Sequence, residues 1–543
     1  MIEKDNQYYE HLNAGKGRFR EINSTKAQTT NVIKKTAKTV ASTTWGVQDT
    51  NSDMDKTSNQ REMQFAKKEV GDNAVTGEEY VEDSKMRVMA EPFSNKGVNL
   101  PRQEQFESLA KSETFLDACS RMERLLASNV YRNQQKTFRG LMQPDPLRLD
   151  VKFRYRVELL WSFTSDYVRG RTVAGMCWNP LNTDLLAVGY GKYFHQDRKN
   201  GLVCCWTIKN PIQPERKYKF DNPVTSVNFS TCHPNLLACG FYNGSVIILD
   251  ISFRTKTIIA VSNRETSPSY EPVWQIFWFR GEDNQQTEEQ LVTCCQDGRV
   301  CRYRREKKLH CFSVTLVTRV EGKVKGIDQS RKFRAYDIPV TRHPAALVLT
   351  KHPVETLTYF IGTDEGCIHK FSIDLHQHTD IFTAHDGPVY SMEFSPFCSK
   401  IFLTCGADWC IRIWSEGAGQ PLLTLNSSME AVQGAAWSPV NATIIASISG
   451  NNIHFWDIRR KICDPASTTT SPTDSRNLMV QFTSSGLNLV VGDSDGTVHV
   501  YGLQDMPFSP FYQEIALIQS IKNALLTRPE LLTTLKKIGK PFY

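Results

Sequence analysis

Between residues 152 and 505 apolar and polar positions alternate in short runs separated by turn residues. The runs include "LLAVGYG" (185–191), "VTSVNFS" (224–230), "GSVIILDI" (244–251), "GRVCRY" (298–303), "CIHKFSI" (367–373), "CIRIW" (410–414), "NIHFWDI" (452–458) and "TVHVYGL" (497–503). Runs of this length, rich in β-branched and aromatic residues and bounded by Gly, Asn and Asp, predict strands rather than helices. The pattern outside this region differs. Phe115, Leu116, Cys119, Met122 and Leu125 in "ETFLDACSRMERLLA" (113–127) step by three and four, which predicts an amphipathic helix. That helix is read either as standing outside the main domain, open to a partner, or as packed locally on it. Ile515, Ile518, Ile521 and Leu525 predict another helix. Thr527 and Glu530 then form a capping box for a last one, with Lys536 and Lys537 in its final turn, Gly539 ending it and Pro541 beyond.

The strand runs repeat. Each unit is read as ending on a large apolar residue five positions after a turn: Trp206, Leu249, Tyr303, Phe371, Trp414, Trp456 and Tyr501. Their spacings are 43, 54, 68, 43, 42 and 45 residues. Four fall in the window of about 40–45 residues expected of a WD-repeat unit, and the two long ones hold polar insertions. Upstream strands end near Pro or a polar pair, as in "MCWNPLN", "VNFSTCHPN", "MEFSPFCSK" and "AAWSPVNAT". The expected fold is therefore all-β: a seven-bladed WD-repeat β-propeller with a disordered N-terminal tail and short flanking helices. Closing the ring requires one more strand, and "YRVELLWSF" (155–163) is placed to supply it. The expected organisation is a tail over 1–112, a helix and Pro-broken linker over 113–150, the propeller over 151–505 and C-terminal helices over 506–543. The tail, with stretches such as "KTAKTVASTTWGVQDTNSDMDKTSNQREMQ", holds too little apolar surface to offset the entropy of ordering.

Composition narrows the function. A net charge of +7 over 543 residues makes no case for nucleic acid. No apolar run approaches the ~18 residues needed to span a membrane. The 15 Cys show no Cys-x-x-Cys or His/Cys ligand spacing, which suits reduced, buried thiols in an intracellular, soluble protein. Lys307, Lys308, Lys323, Lys325, Arg331 and Lys332 mark a basic insertion at 305–343 between blades three and four, read as a solvated loop or as a basic binding patch. "ICDPASTTTSPTDSR" (462–476) reads as a loop rich in hydroxyls, and "DLHQHTD" as a loop in which His376 and His378 stand too alone for a metal site.

One blade carries a full polar set. In "AHDGPVYSMEFSPFCSKIFLTCGADWCIRIW", His385, Thr404, Asp408 and Trp414 occupy the places of the hydrogen-bonded structural tetrad of WD-repeat units. The set looks like a catalytic triad on paper, but residues at these places point into a packed blade. Trp409 follows Asp408 where other turns carry Gly (Asp297-Gly298, Glu365-Gly366, Asp495-Gly496). No Gly-rich phosphate loop, paired carboxylates or ligand cluster suggests catalysis, a metal or a cofactor.

The segment "FLTCGADWCIRIW" (402–414), with Trp409 in the turn, resembles the blade of dynein intermediate chains in which Cys-x-x-Asp-Trp precedes the final strand. "DLLAVGYG" (184–191) with "GLVCCWTIKNP" (201–211), "EPVWQIFWF" (271–279) and "IGTDEGCIHK" (361–370) resemble other blades of that family. "RMERLLASNVY" (121–131) is similar to the helix before the propeller in its axonemal members, and "VGDSDGTVHVYGLQDMP" (491–507) resembles an inner-arm member. The resemblance implies a non-catalytic subunit of an axonemal dynein. Its propeller would grip the tail of a dynein heavy chain, beside a second dynein intermediate chain and dynein light chains, with axonemal microtubule doublets reached indirectly. It implies a place in the cilium or flagellum after assembly in the cytoplasm. Trp409 is then the candidate heavy-chain contact, and Ala27-Gln28-Thr29 in "TKAQTTN" the candidate light-chain motif. Two other readings stay open: an intermediate chain of the dynein of transport inside cilia, or a generic WD-repeat adaptor.

Overall fold

Strands of mostly five to eight residues form where apolar residues run almost without interruption, because most are covered on both faces. Ile401–Gly406 is buried at every position, as are Leu236–Phe241, Thr358–Thr363, Ile444–Ser449 and Asn488–Asp493. A computed structural model describes residues 107–142, 153–191, 200–253, 255–262, 271–305 apart from 281–288, 309–319, 343–355, 357–372 and 378–538. The candidate motif Ala27-Gln28-Thr29 and the six basic residues of the insertion lie outside them.

The described strands, β1 (Arg156–Phe163) to β28 (Val498–Gln504), form seven antiparallel four-stranded sheets. Blades one to six are β2–β5 (residues 172–220), β6–β9 (224–261), β10–β13 (273–316), β14–β17 (346–383), β18–β21 (389–425) and β22–β25 (432–470). The seventh combines β26–β28 (477–504) with β1 as its outer strand. Arg156 pairs with Gln504 and Phe163 with Val498, so chain residues from opposite ends of the propeller close the ring. Apolar clusters cross each seam: Ala187, Val203 and Cys205 of blade one meet Val224, Leu237 and Leu249 of blade two. All 15 cysteines are free thiols, with Cys204, Cys205, Cys294 and Cys295 buried.

Several expectations need correction. The seven large anchor residues sit on the third strand of each blade, not the last. A fourth strand follows, and it is often short or polar: Leu423–Leu425 in blade five, Ser467–Thr470 in blade six. That strand lies within the stretch 462–476 expected to be a loop. The basic insertion also begins later than expected, because Leu309–Leu316 is the outer strand of blade three. His378 opens a strand, His378–Thr383.

The helix α1 spans Glu113–Val130, with Ser112 capping it by accepting from the Phe115 N–H, and α2 (Arg132–Phe138) follows. It lies on the propeller by its polar side. Arg124 pairs with both carboxylate oxygens of Glu215 (3.0 and 2.8 Å), and Asn210 donates to Glu123 at 3.2 Å. Phe115, Met122, Leu125 and Val130 face solvent, each more than half exposed. At the C-terminus α3 (Gln513–Ala524), the 3₁₀ turn Leu525–Thr527 and α4 (Pro529–Ile538) bury Leu517, Ile518, Ile521, Leu525, Leu531 and Leu535 against blades five and six, while Ile515 stays exposed. The capping box at Thr527 does not start α4. Thr527 ends a 3₁₀ turn and the helix opens on Pro529, whose fixed φ and missing N–H suit a first helical position.

Candidate functional site

The loop 384–388 enters β18 (Val389–Phe394), and the turn 407–410 joins β19 (Ile401–Gly406) to β20 (Ile411–Ser415), so both lie on one face of the ring. This brings the four tetrad residues together. His385 Nδ1 lies 2.7 Å from Asp408 Oδ1, His385 Nε2 lies 2.8 Å from Thr404 Oγ1, and the Trp414 indole N–H donates to Thr404 Oγ1 at 2.9 Å. A neutral imidazole with its proton on Nδ1 satisfies all four groups in one direction: Trp to Thr, Thr to His, His to Asp. Burial alone would raise the Asp408 pKa, but the His385 hydrogen bond and the Arg412 guanidinium, 3.0 Å away, hold it below the usual carboxylate range. The Asp408 carboxylate also accepts the N–H groups of Asp386 and Cys410.

Thr404 is fully buried and its oxygen is engaged on both sides, so no substrate reaches this Asp–His–Thr line. Replacing Thr404 by Val keeps the shape and removes the hydroxyl. The buried His385 and Trp414 nitrogens then lose their partner, and the expected cost is about 2–3 kcal/mol, read as a lower denaturation midpoint. An unchanged midpoint would mean that the line of hydrogen bonds contributes nothing net.

Sequence reading missed related networks. In blade six the Trp456 indole donates to Ser447 at 2.9 Å, and His454 bridges Ser449 and Thr468 at 3.0 Å each. Here the His lies on the third strand rather than in the entering loop, so the tetrad spacing does not find it. In blade seven Thr473 donates to Asp493 at 2.7 Å beside His499, which reaches Ser162 of the closing strand at 2.8 Å.

Trp409 has φ +67°, a left-handed conformation that strains L residues. Gly244, Gly298, Gly366 and Gly496 hold the matching turns of other blades at φ +78°, +77°, +82° and +86°. The indole is 45% exposed. A large aromatic therefore occupies a backbone position that four other blades give to Gly, and much of its side chain faces solvent.

The described residues contain no group of three or more His, Cys, Asp or Glu able to hold a metal, and no helix long and apolar enough to cross a membrane. In the groove between blades four and five, of about 440 Å³, Lys370 is engaged by Glu416 and, at 3.6 Å, by Glu355. The fold with its buried tetrad defines a WD40-repeat propeller, a scaffold built to present surfaces.

The family model for the dynein axonemal intermediate chain 3 WD40 domain matches residues 158–304 and 340–503. The chain belongs to the axonemal dynein intermediate chains. It is 37% identical over 357 residues to rat dynein axonemal intermediate chain 4, covering 65% of this chain and 44% of that protein. It is 32% identical over 437 residues to the human chain 4, covering 74% and 51%. The 78 kDa intermediate chain of the flagellar outer arm of Chlamydomonas reinhardtii is 24% identical over 454 residues, covering 78% and 63%. The chain thus spans about half the length of the chain 4 relatives it matches. Such names belong to proteins of the cilium or flagellum axoneme.

Proposed function

We propose that this chain is a non-catalytic intermediate chain of an inner-arm axonemal dynein, and that the face carrying Trp409 binds the tail of a dynein heavy chain. The observation that carries this reading is the strained, half-exposed indole itself. A non-Gly residue held at φ +67° lowers stability, and such strain collects at functional positions. A rigid aromatic on a ring face buries much area for little loss of entropy, as binding hot spots do. Holding the tail, the propeller helps assemble the motor in the cytoplasm and anchor it in the axoneme. The helix α1, fixed by its polar side and bare along its apolar side, is the surface assigned to the second intermediate chain. Ala27-Gln28-Thr29 is the segment assigned to light chains by strand addition.

The test is Trp409→Gly. Glycine relieves the left-handed strain, so the folded variant is expected to be about 1 kcal/mol more stable than the parent chain. Heavy-chain-tail binding is expected to weaken by about 2 kcal/mol, close to thirtyfold. Unchanged tail affinity, with or without the gain in stability, removes Trp409 from the interface. Sedimentation of the tagged chain with axonemes of ciliated cells, together with an inner-arm heavy chain, checks the wider reading. Recovery with transport dynein or ubiquitin-ligase components instead would favour the other two.

A further inference from the structure

The face around Trp409 carries more chemistry than one indole. The exposed Asp386 stands in the loop entering β18, and its N–H donates to Asp408 Oδ2 at 3.3 Å, one residue before Trp409 in the turn. The next loop on this face, 426–431, leaves β21 (Leu423–Leu425), whose Leu425 pairs with Ile411, two residues beyond Trp409. It presents Met429, 83% exposed, and the exposed Glu430. Glu430 lies against the turn of blade six, since a Cβ on Gly450 would meet its Oε2 at 2.0 Å. Beside it in that turn, Asn451 donates to Asp474 Oδ1 at 3.2 Å, and Asp474 is exposed in the loop entering blade seven.

An arc thus runs over three blades: Asp386, Trp409, Met429, Glu430, Asp474. Two large side chains sit among three exposed carboxylates. Among the described residues the cations nearby do not balance them. Arg412 is engaged by Asp408 and by the Ala384 carbonyl, which leaves the exposed Arg476 at the far end of the arc. The whole chain carries a net charge of +7, so this arc inverts the balance of the chain locally. A surface with an apolar centre and a one-sign rim selects its opposite in a partner and rejects like charge.

We propose that this arc recognises a segment flanked by Lys and Arg that carries an apolar residue, which seats between Trp409 and Met429. The inference rests on the reading that this face meets the heavy-chain tail, and it names the chemistry the tail must bring. Nucleic acid and acidic peptides are repelled by the same rim.

The experiment titrates the full-length chain with a purified axonemal heavy-chain tail at about 50 and about 300 mM salt, a range over which charge screening strengthens markedly. It compares the parent chain, Trp409→Gly, the reversal Asp386→Lys with Glu430→Lys, and the neutral set Asp386→Asn, Glu430→Gln and Asp474→Asn. The neutral set keeps side-chain shape, so it guards against misfolding, and a thermal melt of each variant checks this. Parent affinity is expected to fall about tenfold at the higher salt, the reversal to lose about tenfold at low salt, and the reversal to show little salt dependence. The neutral set is expected to fall between. If the reversal and the neutral set bind like the parent with the same salt slope while Trp409→Gly loses binding, the basic-segment inference fails and the heavy-chain contact stands. If the reversal binds more tightly, the partner segment is acidic and the inference fails. If no variant, Trp409→Gly included, alters tail binding, the face itself is wrong.

Discussion

A chain that begins at residue 164 loses cooperative unfolding altogether. It lacks β1, the outer strand of the last blade, whose residues 156–163 pair along β28. Leu160, Trp161 and Phe163 of that strand are buried, and each contributes about 1.5–3 kcal/mol of burial. Tyr155, just before it, is also buried and its hydroxyl donates to Asp457 of blade six. The removed burial alone is about 6 kcal/mol or more, against a net stability of roughly 5–15 kcal/mol for a typical domain. The loss also bares β28 as an edge, which invites association with other chains. A chain beginning at residue 153 is the control. It keeps β1 but loses α2, whose Phe138 ring lies 5.3 Å from Trp161 and whose Phe138 carbonyl accepts from Asn488 at 2.7 Å. It is expected to melt cooperatively at a lower temperature. Calorimetric scans of the two truncations decide the matter, and a single sharp transition in the shorter one would mean the ring closes without its N-terminal strand.

The ring was legible because its inner strands are apolar runs and four of its turns pair Gly with Asn, Asp or Glu. The closing strand at 155–163 follows only from the requirement that the first and last blades pair, and the structure has it there. The anchor spacing does not show it, because the anchors read as last strands. The outer strands were not legible. "LTL" at 423–425 and "STTT" at 467–470 become strands through pairing with a buried neighbour, as Leu425 does with Ile411 and Thr469 with Ile453. Local propensity does not announce them. The tetrad was legible because His385, Thr404, Asp408 and Trp414 follow a fixed spacing, whereas the Ser449–His454–Thr468 line in blade six places its His elsewhere and follows none. For α1 the period of apolar residues could be read, but not which side turns inward. The ordinary expectation puts the apolar face on the core. Here the two-pronged Arg124–Glu215 pair and the Asn210–Glu123 bond select the polar face instead. Trp409 was legible as an anomaly among turn glycines, but its backbone angle and exposure needed the folded turn.

Between pH 7 and 4.5 two buried groups pull stability in opposite directions, and replacing either one is expected to unmask the other. His369 lies fully buried on β16 (Cys367–Ser372), and neither ring nitrogen has a hydrogen-bond partner among the described residues. Burial, and then the neighbouring His378 at 5.7 Å, push its pKa down to about 4 from 6.5. Its neutral form is favoured by folding, so its contribution is complete above the unfolded pKa and is lost as pH falls through 6.5 toward 4. A shift of that size is worth about 3 kcal/mol. Glu393 on β18 works the other way. Burial raises it to about 7 from 4.5, although the Trp437 N–H donates to it at 3.0 Å. Its protonated form is favoured by folding, so its contribution is complete below 4.5 and is lost as pH rises through 7, again by about 3 kcal/mol. The two changes nearly cancel in the parent chain. Glu393→Gln keeps an oxygen for the Trp437 N–H and removes the compensating titration, so its stability is expected to drop by about 3 kcal/mol more than that of the parent between pH 7 and 4.5. His369→Leu is expected to become more stable with acid over the same interval. Denaturant melts at half-unit steps of pH measure both, and curves parallel to the parent would show that neither group titrates in the fold as its surroundings require. The placement gives the cancellation its structural sense. His369 stacks on Phe371, which joins Phe279 and Val292 at the seam of blades three and four, while Glu393 reaches from blade five to blade six. In a closed ring the seams open together, so stability added at one seam by acid offsets stability lost at another.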